Sequence, residues 1–157
     1  MRHSVITILT SAFVIIMGSQ FILLGQDART EIFEDRIEIF FAKMADGDLE
    51  GAVDYIYSDN PWISNKIEDI ENVKKQFVSL PELVGAYLNH IKIVEEKLAG
   101  RYIYIQYFVS FQRQPVSFTF EFYKPDKEWM IFSFAFADDI DTWVEEKAKQ
   151  KYYSDQK

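Results

Sequence analysis

With 157 residues the chain has room for one domain and hardly for two. Its 17 basic and 25 acidic residues leave a formal charge of −8, with no Lys/Arg-rich run to form a phosphate-binding face, so nucleic acid is excluded as a partner. Cysteine is absent, which excludes thiol catalysis, disulfides and thiolate metal sites.

Met1-Arg2-His3 is a short basic start, and Val5 to Leu24 carries no charged side chain. The first acid is Asp27. A charged beginning followed by an apolar stretch predicts a signal peptide over residues 1–25, cut after Gly25. The apolar run, about 20 residues long, also suffices for an uncleaved anchor. The domain is then periplasmic or secreted in the first case and anchored to the inner membrane in the second, meeting the membrane only through residues 5–24. Setting aside residues 1–25 removes one base, Arg2, and no acid. The rest therefore stands at 16 bases against 25 acids, a formal −9.

From Asp27 the pattern is helical. Phe33, Ile37, Phe40, Phe41 and Met44 form one apolar stripe, and Gly47 stops it. Asp48 reads as the N-cap of a second helix with Leu49, Ala52, Val53 and Ile56 inward. Asn60-Pro61 ends that helix. A third runs from Ile63 through Ile67, Ile70, Val73, Phe77 and Leu80, with Asn65 and Glu68 as a capping box and Pro81 closing it.

Tyr87 to Leu98 is a strand of modest quality. Three aromatic-rich strands follow between Gly100 and Ala137. Ile103, Ile105, Tyr107, Val109 and Phe111 point one way, opposite Tyr102, Tyr104, Gln106, Phe108 and Ser110. Val116, Phe118, Phe120 and Phe122 extend the apolar face, and Trp129–Phe136 is apolar on both sides. A final helix begins at Asp138 or Asp139, and residues 151–157 are a frayed tail. The fold class is α+β: three N-terminal helices packed on a curved antiparallel sheet of about four strands, with a short C-terminal helix.

This order resembles the nuclear transport factor two-like superfamily of cone-shaped α+β domains, which includes ketosteroid isomerases and polyketide cyclases. Residues 40–52, Phe-Phe-Ala-Lys-Met-Ala-Asp-Gly-Asp-Leu-Glu-Gly-Ala, are similar to its "helix, Gly-Asp, helix" opening. Residues 123–131, Tyr-Lys-Pro-Asp-Lys-Glu-Trp-Met-Ile, are similar to its final hairpin. The likeness covers nearly all of residues 29–145 and implies a domain spanning residues 27–150.

The resemblance implies that an enzyme of this class keeps ionisable groups inside the cone, such as a tyrosine on the first helix and an acid as base. Here the first-helix stripe has no tyrosine. Glu121 alternates away from the Phe118–Phe122 face, and so reads as solvated or subunit-facing. His90 shares its side with Lys92 instead of Ile91 and Ile93, which predicts an exposed histidine. Asp46, Asp48 and Glu50 begin like a calcium loop, but Tyr57 stands where its bidentate glutamate belongs. No catalytic residue, metal site or cofactor is assigned.

What remains is aromatic surface. Tyr57, Trp62, Tyr107 and Trp129 are candidates to line the mouth of the cone and bind a small apolar ligand. Tyr102, Tyr104 and Phe108 on the outer sheet face are candidates for a homodimer or envelope-protein interface. The expected function is thus an exported, non-enzymatic binding domain. One alternative is an isomerase-, dehydratase- or cyclase-type enzyme using Glu121 or His90 with a tyrosine partner. The other is a membrane-anchored assembly component.

Overall fold

Helix α1 (Leu24–Ala45) leads into α2 (Leu49–Tyr57), a 3-10 turn (Ile63–Lys66) and α3 (Ile67–Val84). The strands β1 (Tyr87–Leu98), β2 (Tyr102–Phe111), β3 (Pro115–Tyr123) and β4 (Met130–Ala137) come next, then α4 (Ile140–Ser154). This computed structural model describes the backbone of residues 24–155, with side chains from Phe33 onward except residues 63 and 64. The signal or anchor segment read from the sequence therefore lies outside the described residues up to position 23. The chain divides into two compact units, residues 1–36 and 37–157, and all that follows concerns the second.

The four strands pair antiparallel in sequence order, β1-β2-β3-β4. The architecture is the α+β arrangement expected from the sequence, with helices first, an antiparallel meander and a closing helix. Apolar side chains from the helices meet one face of the sheet. Phe40 lies with its ring centroid 5.5 Å from Phe77, 5.2 Å from Phe120 and 4.8 Å from Phe134. Phe118 is fully buried between Phe77 and Phe134, each 5.7 Å away. Many of these rings meet edge to face, the geometry their quadrupoles favour. Packed phenylalanine rings thus occupy the space between helices and sheet.

Local chemistry fixes the boundaries. Asp48 caps α2, its carboxylate accepting the Gly51 N–H at 3.0 Å. Lys43 donates to the same carboxylate at 2.9 Å, and these two bonds, the lysine's first, hold its pKa below the usual range. Asp48, one of the acids that begin like a calcium loop, is therefore employed at a helix junction. Ala99 and Gly100 both have positive φ and form the β1–β2 turn, closed by the Arg101 N–H donating to the Leu98 carbonyl at 3.0 Å.

Three boundaries depart from the sequence expectation. Asn65 and Glu68 form no capping box, because Asn65 is inside the 3-10 turn and the residue before α3, Lys66, makes no side-chain cap. Helix α3 continues through Pro81 to Val84, giving up one backbone donor at the proline without ending there. Gly85 (φ +88°) is the actual stop, and its N–H donates to the Pro81 carbonyl. Helix α4 extends to Ser154, past the start of the expected frayed tail, with a Glu145–Lys149 pair at 2.7 Å one turn apart on its surface.

The register of β1 corrects the reading of His90. Two irregularities, at Tyr87/Asn89 and Lys92/Val94, interrupt the pairing with β2. Between them His90 stands opposite buried Val109, and Ile91 opposite half-buried Phe108. Directly opposed residues share a face, so His90 points to the helix-covered side and Ile91 to the other. The His90 side chain is 17% exposed, whereas Ile91 is 59% exposed. Hydrophobicity favoured the opposite assignment; the neighbouring β2 strand decides it.

Candidate functional site

The outer face of the sheet carries a run of aromatic and aliphatic side chains. Tyr102, Tyr104 and Phe108 lie on it, all half-buried by their neighbours. Phe132 is displaced outward where β4 loses register with β3, between the Glu121–Ser133 and Phe122–Ile131 pairs. Its ring meets Tyr102 at 6.2 Å and Tyr123 at 6.3 Å. Ile91 (59%), Leu98 (69%), Phe132 (45%) and Tyr123 (37%) remain exposed. Helix α4 buries none of its own residues. Its approach to the sheet is anchored where the Ser117 hydroxyl donates to Asp139.

Glu121 is part of this outer face. It shares this face with Tyr102, whose pKa is pushed up to about 12 by desolvation first, then by the Glu121 carboxylate. His90 faces the opposite side, so the two residues considered for acid–base work do not share a site.

His90 lies in a chain of three polar groups instead. Its Nδ1 is 2.6 Å from the Tyr87 hydroxyl and its Nε2 is 3.0 Å from Glu38 Oε1. Protonation at Nε2 satisfies all three: the ring donates to the carboxylate and accepts from Tyr87. Phe41 stacks on the imidazole at 3.7 Å, with planes 8° apart. Burial, then the Glu38 charge, raises the Tyr87 pKa and keeps it a proton donor. The chain ties β1 to α1.

The four aromatics proposed for the mouth of the cone are not brought together. Tyr107 is buried in mid-sheet, 5.2 Å from Phe41 and 5.9 Å from Phe120. Trp62 is 61% exposed just before the 3-10 turn. Trp129 is half-buried at the β3–β4 hairpin, with Lys124 5.8 Å above its ring. Tyr57 borders a cavity of about 230 Å³, against β4 and the start of α3.

Tyr57 ends α2 and is 8% exposed. Its hydroxyl accepts the Phe134 backbone N–H at 3.0 Å, and Asn60 Nδ2 donates to the Ile131 carbonyl at 2.9 Å. Two side chains therefore take up backbone groups of β4. Burial raises the Tyr57 pKa, partly offset by the bond from Phe134. Sequence reasoning identified Tyr57 as an aromatic but missed Asn60, Lys66 and Asp69 beside it. The Asn-Pro signal at Asn60-Pro61 reads as a turn and gives no hint that the asparagine reaches 71 positions along the chain.

Among the described residues no three His, Asp or Glu side chains converge as a metal site, and no helix is long and apolar enough to cross a membrane. No family model, curated protein or solved structure matches the chain.

Proposed function

We propose that this is an exported, non-enzymatic interaction domain of the cone-shaped nuclear transport factor two-like class, and that its outer sheet face docks another envelope protein. The observation that carries the reading is the apolar outer face, where Ile91, Leu98, Tyr123 and Phe132 stay exposed beside Tyr102, Tyr104 and Phe108. Exposed apolar side chains gathered on one sheet face mark an interaction site, and aromatic residues are enriched in such interfaces. The formal charge of −8 favours a neutral or basic partner over a second, equally acidic copy. The phenylalanines packed beneath the sheet leave the outer surface as the larger apolar area on offer. Residues 1–25 supply the export signal, or the anchor if they are retained.

Photo-crosslinking side chains at Ile91 and Phe132 test this, with a control at Leu83 on α3. The expected result is one heteromeric adduct from both sheet positions and none from the control. A homodimer adduct alone would overturn the assignment of partner. Equal labelling from all three positions, or none, would overturn the contact surface itself.

A further inference from the structure

The cavity beside Tyr57 has the chemistry of a small-ligand site. Its apolar lining comes from Ile70 and Val73 on α3 and from Phe132 and Phe134 on β4. Two oppositely charged side chains, Lys66 and Asp69, also line it, and both are exposed. They are three residues apart around the start of α3, yet form no ion pair with each other or with any described residue. Lys66 Nζ lies 5.1 Å above the Phe132 ring, an arrangement that steadies an ammonium without using its hydrogens.

Deeper in, Tyr57 lines the cavity. Tyr57 is more than nine-tenths buried, and its oxygen accepts from the Phe134 backbone while its own hydrogen has no acceptor among the described residues. A buried donor left without a partner is costly, and a ligand acceptor would relieve it. The volume, about 230 Å³, falls below the roughly 300–1,000 Å³ of drug-sized pockets, so the occupant is small.

We infer that this cavity binds a free amino acid with an apolar side chain. Its carboxylate meets Lys66 and the Tyr57 hydroxyl, its ammonium meets Asp69, and its side chain lies on Ile70, Val73 and Phe134. A lone anion leaves Asp69 opposing it, and a lone cation leaves Lys66 opposing it; only a zwitterion answers both. A sugar is disfavoured because the Phe132 ring face, where it would stack, is taken by Lys66. The inference does not rest on the outer-face reading: Phe132 borders both surfaces, but crosslinking at Ile91 reports on the outer face alone and leucine titration on the cavity alone.

Calorimetric titration of the full-length chain with L-leucine, 4-methylpentanoate and 3-methylbutylamine tests it. L-leucine is expected to bind, and each analogue lacking one charge to bind about tenfold or more weakly, as for lost hydrogen bonds to charged groups. Asp69→Asn and Lys66→Gln, both at exposed positions, should each weaken leucine by a similar factor without moving the unfolding midpoint. Absence of leucine binding overturns the inference. So does equal binding of leucine and either analogue, or leucine binding unchanged in both variants.

Discussion

At the scale of single residues, Tyr102 shows how an outer-face side chain couples to pH. Its folded pKa is raised to about 12 from an ordinary value of 10.0, by burial and by Glu121. Between these two values the folded state holds a proton that the unfolded state has released. The stability contributed by Tyr102 is therefore complete below pH 10 and lost as pH rises through about 12. Denaturant unfolding of wild type and Tyr102→Phe across that window should show the variant losing less stability with rising pH. Parallel curves would mean that folding does not raise the Tyr102 pKa. His90 teaches the complementary lesson. Its side-chain chemistry was legible in the sequence but its direction was not, because two register shifts in β1 set it. Neither shift has a glycine or proline to announce it.

At the scale of elements, the borders of the sheet are treated in two ways. Strand β4 has its backbone engaged by side chains of the α2 end, with Tyr57 receiving the Phe134 N–H and Asn60 donating to the Ile131 carbonyl. Asn60 also accepts the Trp62 N–H at 2.8 Å, so one residue stabilises both the turn and the strand. Asn60→Ala removes both bonds and should lower stability by about 1–2 kcal/mol. Amide exchange should quicken at Trp62, which loses its acceptor. A change within experimental error would show that the strand border does not depend on this side chain. Strand β1 relies instead on its two register irregularities and on the charged run Glu95, Glu96 and Lys97, devices that discourage strand pairing. Lys92 and Lys97 both reach Glu95, at 2.7 and 2.8 Å, and hold its pKa low.

These elements were largely readable in advance, and the physical reason is periodicity. The α1 and α3 stripes and the alternation of β2 and β3 are local signals repeated over several turns or pleats. What could not be read depends on partners remote in sequence. The Tyr57–Phe134 bond spans 77 positions, and the cavity joins the start of α3 to β4. Pro81 misleads for another reason: a proline tends to end a helix but does not force it to, and here three more residues stay helical.

At the scale of the whole molecule, stability rests on the aromatic layer between helices and sheet. Phe118 is fully buried, with Phe40, Phe41, Phe77, Phe111, Phe134 and Phe136 all within 6.4 Å between ring centroids. Phe118→Ala should cost about 3–5 kcal/mol, a large share of the roughly 5–15 kcal/mol holding a domain of this kind together. Urea unfolding of Phe118→Ala and the milder Phe118→Leu would read it. A loss under about 1 kcal/mol for the alanine variant would mean the layer repacks and is not a fixed jigsaw.

The closed borders of the sheet have a consequence for how copies or partners can add to it. With β4 engaged by Tyr57 and Asn60, and β1 irregular and charged, strand-by-strand extension has no smooth template at either end. The association proposed above therefore runs along the sheet normal, through the outer face. A face used once is used up, so under that proposal higher concentration raises the fraction of chains engaged without lengthening any assembly.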